Sequence, residues 1–79
     1  MRKLQSIIAQ VLGVDREEIN EDSSPDTIES WDSLNGLMMF SELENKFKIK
    51  FNASEVLNIR NVKDIKKALL KHGVKPNQF

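Results

Sequence analysis

The stretch Trp31-Asp32-Ser33-Leu34-Asn35-Gly36-Leu37-Met38-Met39-Phe40, continuing Ser41-Glu42-Leu43-Glu44-Asn45-Lys46-Phe47, decides how the rest of this chain is read. An aspartate just before an apolar periodic run is a favourable N-cap, because its carboxylate accepts the free N–H groups of the first turn. The run therefore predicts a helix that opens at Ser33 behind Asp32 and ends at Lys46 or Phe47. Projected at about 100° per residue, Gly36, Phe40, Leu43 and Phe47 fall within roughly 60° of one another, a conventional core face. Leu34 and Met38 lie about 120–160° from Phe40, with Ser41 and Asn45 beside them. One helix of a small bundle does not easily bury both stripes. With the Phe40 face inside, Leu34 and Met38 form an exposed docking stripe, unless a short third helix or a loop covers them. The flexible thioether of Met38 suits contacts with more than one partner.

Upstream, Leu4, Ile7, Ile8, Val11 and Leu12 make the single apolar stripe of a first helix, and Gly13 supplies its stop. From Val14 to Trp31 the periodicity lapses. Asn20 to Asp26 is acidic and serine-rich around Pro25, a long connecting loop that Val14, Ile19 and Ile28 pin to the core. Loops of this length in small domains often carry function. Downstream, Phe47-Lys48-Ile49-Lys50-Phe51 alternates as a strand does, but it has no second strand to pair with and is expected as an extended connector. Asn52 and Glu55 form a capping box that opens a short helix through Val56 and Leu57. Asn61 caps a last helix in which Val62, Ile65 and Leu69 share a face, ending near Gly73. The expected fold is all-α, a small four-helix bundle of three longer helices and one short one. It occupies residues 1–74 as a single domain, with a frayed tail over 75–79.

Composition narrows the chemistry. Among 79 residues there is no cysteine and one histidine, His72, which leaves no disulfide, no thiolate metal site and no His-based dyad to expect. Twelve basic residues cancel twelve acidic ones, against a dedicated nucleic-acid binder. On that reading Lys63, Lys66, Lys67, Lys71 and Lys75 are the solvated face of the last helix. No apolar run approaches the ~20 residues of a membrane span, and the amphipathic N-terminus lacks a signal peptide's pattern. A cytoplasmic monomer without membrane insertion is expected. The zero sum conceals an asymmetry: three basic against eight acidic residues up to Phe40, nine against four after it. Either the two parts complement each other within the fold, or the acidic segment faces a basic partner.

Ser33 is the residue of most chemical interest. As a catalytic nucleophile it lacks a base, since His72 is far along the chain, and there is no Gly-x-Ser-x-Gly elbow. An exposed serine behind an acidic cap is better read as an attachment point, where the charge of a phosphate-linked group would face the positive end of the helix. Trp31 is expected to anchor the loop rather than touch a ligand. Gly36 costs helix stability, about 0.8–1 kcal/mol relative to Ala in a helix interior. Its presence reflects a close approach, by another element or by something beside Ser33, or simple tolerance.

The run Trp31-Asp32-Ser33-Leu34, with Asn35 to Phe40 and Leu43-Glu44-Asn45-Lys46-Phe47, resembles the acyl carrier protein family. In that family an Asp-Ser-Leu motif opens the second helix. The resemblance extends over almost the whole chain, including the amphipathic first helix, the long acidic loop and the Phe47–Phe51 segment. It implies that Ser33 carries 4′-phosphopantetheine, donated by coenzyme A and joined through a phosphodiester, with Asp32 and Leu34 flanking the attachment. The arm would supply the thiol that the chain lacks and hold acyl groups as thioesters. The protein would then be a non-catalytic carrier and the substrate of a phosphopantetheinyl transferase, which Asp32 helps to engage through the transferase's metal ion. Leu34, Leu37 and Met38 would contact acyl-transferring synthases or ligases, with Ser41 and Glu44 nearby. Phe40, Leu43, Phe51, Val56, Ile59 and Ile65 would line the interior where an acyl chain is sequestered, although the same six are ordinary core in any helical reading.

Three features depart from carriers of primary fatty-acid synthesis, whose second helix is strongly acidic: Asn35 follows Leu34, Met38 stands where an acid is common, and Lys46 is basic. These, with overall neutrality, imply a specialised polyketide, lipid or amino-acyl pathway. Peptidyl carriers are similar in fold, but their serine more often follows a glycine-rich or histidine-containing lead-in. The competing reading is an unmodified helical adaptor that binds a partner through the Leu34/Met38 stripe.

Overall fold

The computed structural model describes residues 1–79. Helices α2, α3 and α4 each begin at a side-chain cap, and α1 ends at a glycine. Helix α1 spans Arg2–Leu12 and buries Leu4, Ile7, Ile8, Ala9 and Leu12. It stops at Gly13, whose φ of 70° lies in the left-handed region that glycine enters without a Cβ penalty. Helix α2 spans Ser33–Phe47, and its cap Asp32 accepts the Asn35 N–H at 2.9 Å. Helix α3 spans Ala53–Asn58 behind the expected capping box: Asn52 Oδ1 accepts from Glu55 N–H at 2.8 Å, and Glu55 Oε1 accepts from Asn52 N–H at 3.0 Å. Helix α4 spans Val62–Lys71, with Asn61 Oδ1 accepting the Asp64 N–H at 2.8 Å. The result is the all-α, four-helix architecture read from the sequence, with two 3₁₀ turns added at Arg16–Glu18 and Pro76–Gln78.

One core joins α1, α2 and α4. Leu4, Ile8, Met39, Leu43, Val62, Ile65 and Leu69 are removed from solvent entirely, each contributing about 1.5–3 kcal/mol through apolar burial. The buried face of α2 is turned from the expected one. Gly36, Met39 and Leu43 are its buried positions, while Phe40 and Phe47 are only half-buried. The thin α3 lies on the Phe40 side and leaves that ring at the edge of a groove; Lys3 sits 5.6 Å over the Phe47 ring.

The loop between α1 and α2 is tied down at several points. Ile19 and Ile28 are buried and Val14 half-buried, as their spacing predicted. Gln5 Nε2 donates to the Ile19 carbonyl at 2.6 Å. The carbonyls of Ser23 and Glu21 accept the first two free N–H groups of α4, from Val62 and Lys63, at 3.0 Å each. Glu21 also pairs with Lys66 at 3.2 Å, so part of the charge asymmetry is resolved within the fold.

Two expectations require correction. The segment after Phe47 is not extended from its start, because Lys48 adopts φ 55°, the one non-glycine residue in the left-handed region, and turns the chain away from α2. The last five residues do not fray. Val74 is buried, Pro76–Gln78 makes a turn, and Phe79 returns to the core at 5% exposure, its carbonyl accepting the Leu4 N–H. Burial of the Phe79 ring, the turn bonds within Lys75–Phe79 and the bond to Leu4 together oppose the entropy of ordering this segment.

Candidate functional site

The start of α2 gathers the sequence-predicted residues. Ser33 is the first helical residue and is exposed, as is Asp32. With the Asn35 amide taken by Asp32, the amides of Ser33 and Leu34 point out of the helix end without a protein acceptor. The side-chain amide of Asn35 donates to the Ser30 carbonyl at 2.9 Å and locks the loop to the helix start. A hydroxyl held there meets the partial positive charge of the helix N-terminus, which favours an attached anion.

Beside Ser33 an open groove of about 470 Å³ runs between α2 and α3, with Trp31, Gly36, Leu37, Phe40, Val56 and Ile59 among its lining residues. Trp31 is 5% exposed, so it anchors the loop as expected, yet one edge of its indole also forms a groove wall. A Cβ at Gly36 would lie 3.5 Å from Trp31 Nε1 and 3.6 Å from Cδ1, ordinary van der Waals distances. Packing therefore does not demand glycine at 36.

The structure divides the six interior residues named from the sequence. Phe40, Val56 and Ile59 border the groove. Leu43 and Ile65 lie fully buried behind it in the close-packed core. Phe51 bridges the two sets, edge-on to Phe40 at 5.7 Å between ring centroids.

On the outer face of α2, Leu34, Leu37 and Met38 are 67%, 63% and 53% exposed, and Ser41 is exposed in line with them. Neither α3 nor the loop covers this stripe. Glu44 is not part of it: its carboxylate turns inward and accepts the Phe51 N–H at 2.8 Å, fastening the connector to α2. Sequence reasoning missed that task and also the pairing of His72 with Glu55, where Nε2 lies 2.9 Å from both carboxylate oxygens. The Glu55 carboxyl is held below its ordinary value near 4.5, first by the Asn52 backbone N–H and then by His72.

A family model for the phosphopantetheine attachment site matches residues 2–69, from the first turn of α1 to the last turns of α4. The chain belongs to that family. No curated protein matches the chain. Members of the phosphopantetheine-attachment family carry covalently bound 4′-phosphopantetheine and act as non-catalytic carriers, so this protein has a phosphopantetheine-carrier role. The residues at the start of α2 fit such a group: an exposed hydroxyl, two unpaired amides at a helix end, and an adjoining apolar groove able to take a long flexible chain. Partners of the family include phosphopantetheinyl transferases and synthases. No helix is long and apolar enough to cross a membrane.

Proposed function

We propose that Ser33 is the attachment residue and that the protein carries acyl intermediates as thioesters on the arm. The observation that carries this reading is the position of the Ser33 hydroxyl, exposed at the first residue of α2 and lining the apolar groove. On a phosphopantetheinyl transferase, Ser33 Oγ would lose its proton and attack the pantetheine-side phosphorus of coenzyme A, breaking the pyrophosphate bond and releasing adenosine 3′,5′-bisphosphate. When bound, the group supplies the thiol that this cysteine-free chain lacks.

The chain's own residues have separable tasks in this proposal. Asp32 fixes the helix start through Asn35 and presents its free carboxylate oxygen to the transferase and the metal ion the transferase brings. The Ser33 and Leu34 amides face the phosphodiester. Trp31, Leu37, Phe40, Val56 and Ile59 shield the proximal part of an acyl chain from water, while Leu43, Phe51 and Ile65 form the wall that limits its depth. Leu34, Leu37, Met38 and Ser41 dock partner synthases or ligases. The neutral total charge, together with Asn35, Met38 and Lys46 on α2, supports a specialised polyketide, lipid or amino-acyl pathway over primary fatty-acid synthesis, since docking would rest on apolar contact more than on charge steering.

The test is intact mass after incubation with coenzyme A and a broad-specificity phosphopantetheinyl transferase, with Ser33→Ala as control. A gain of one phosphopantetheine, absent from the control, is expected. No gain from a folded sample with several active transferases overturns the assignment and favours the unmodified adaptor, for which the uncovered Leu34/Leu37/Met38 stripe is the supporting observation.

A further inference from the structure

The least anchored element of the fold is α3, the outer wall of the groove. None of its six residues is buried; Val56 and, just past its end, Ile59 are its half-buried apolar contacts, and its remaining ties are polar. One of these ties is unlike the others because it crosses to another helix. His72, the C-cap of α4, places Nε2 at 2.9 Å from both oxygens of Glu55. An ionised carboxylate only accepts, so Nε2 carries the proton that is shared between them. The same imidazole lies edge-on to Phe51 at 5.8 Å, and Phe51 lies edge-on to Phe40, which borders the groove. A single side chain thus touches the wall helix through a hydrogen bond and packs on Phe51, which stands behind the groove's aromatic edge. Asp64, Lys67 and Lys71 of α4 line the cleft shared with Glu55, and none of them forms an ion pair with it.

We propose that Glu55 and His72 form a latch that positions α3 and so sets how freely the groove beside Ser33 opens to cargo. The consequence for cargo rests on the proposed carrier function; the latch itself does not. With the pair made, α3 is held against α4 and the groove keeps its width. With the pair broken, α3 retains only its own capping box and two half-buried contacts, and it opens as a unit below the stability of the whole domain.

The test separates the hydrogen bond from the packing. His72→Phe keeps an aromatic ring beside Phe51 and removes the donor, whereas His72→Gln keeps an N–H at similar reach and removes the ring. Amide hydrogen exchange is followed in the unloaded chain over Ala53–Asn58, with α1 and α4 as internal references. His72→Phe is expected to speed α3 exchange about five-fold, the weight of one partly exposed bond to a charged acceptor, and His72→Gln to leave it within about two-fold of the parent. Glu55→Gln, which preserves an acceptor for Asn52 and removes the charge, gives a smaller increase of about two- to three-fold. The reverse order, Phe protected and Gln fast, overturns the latch in favour of ring packing. Equal acceleration in α1, α3 and α4 overturns it as well, since α3 would then have no separate opening.

A second arm uses the acyl-loaded chain and the rate of thioester cleavage by hydroxylamine. Cleavage that accelerates in His72→Phe in step with α3 exchange supports control of access, and an unchanged rate removes it. Failure to load Ser33 at all counts against the carrier assignment, while the exchange arm still decides the latch.

Discussion

The two sides of α2 are built on opposite terms. Toward α1 and α4 the contacts are apolar and complete, with Leu4, Ile8, Met39, Leu43, Ile65 and Leu69 fully buried. Toward α3 no residue of the facing helix is buried; α3 is held by two half-covered apolar side chains and by a hydrogen bond to the end of α4. Close-packed interiors resist deformation, so the first side holds the start of α2 in place. The second side can give way without loss of the domain. Under the proposed attachment at Ser33, one side of the helix would hold the serine still while the other exposes or covers its cargo.

The strongest way to break this comparison is to truncate one apolar side chain to alanine on each side. Leu69→Ala, in the packed half, is expected to lower unfolding stability by about 2–5 kcal/mol in a urea titration, enough to leave much of a 79-residue domain unfolded. Val56→Ala, in the groove wall, should lose less than about 1.5 kcal/mol because much of the side chain already faces solvent. Comparable losses would mean that α3 is as integral as α1 and α4.

Caps come next in size. Asp32→Ala should cost about 1 kcal/mol of global stability, since α2 runs through the packed half. Asn52→Ala removes a cap of the same kind from α3, but its loss should appear mainly as faster local exchange at Ala53–Asn58, with a nearly unchanged urea midpoint.

Acid separates the two sides without mutation. The Glu55 carboxyl is held below its ordinary value in the folded state, by the Asn52 N–H and then by His72. Its contribution is therefore fully present above the ordinary value near 4.5 and is lost as pH falls through the lower folded value. Amide exchange or NMR shifts in α3 should respond on descending through that window before those of α1, and Glu55→Gln should abolish the early response. Simultaneous loss of all helices would remove the distinction.

The smallest effect concerns Gly36, which lies on the boundary. Since a Cβ meets Trp31 only at ordinary distances, Gly36→Ala should stabilise the chain by up to about 1 kcal/mol through helix propensity. The same methyl narrows the groove, so Trp31 fluorescence of a loaded sample should change with cargo length more in the variant than in the parent.

Much of the fold was legible because its signals are local. Asp32, Asn52 with Glu55, Asn61 and Gly13 each act within four residues, and each does in the structure what its position predicts. The exposed stripe of Leu34 and Met38 was legible by periodicity alone. The buried face of α2 was not, since Leu37, Met38, Met39 and Phe40 follow one another and a nearly continuous apolar run does not say which neighbour is thick and which is thin. Nothing local joins Glu55 to His72 seventeen residues on, or Phe79 to α1. The acceptor role of Glu44 was hidden for the same reason: it depends on where Phe51 comes back to meet it.

The loop before α2 meets α4 through the main-chain oxygens of Glu21 and Ser23 and through one acidic side chain, that of Glu21 on Lys66. Backbone atoms are common to every residue, and the exposed carboxylates of Asp22, Asp26 and Glu29 make no bond of their own, so these positions are free of the duty of holding the fold. The chain can therefore be recoloured electrically there, toward acid, neutrality or base, while its scaffold stays the same. A lineage of such proteins, or an engineer, could change which enzymes are attracted to it by editing a few exposed positions and leaving every helix untouched.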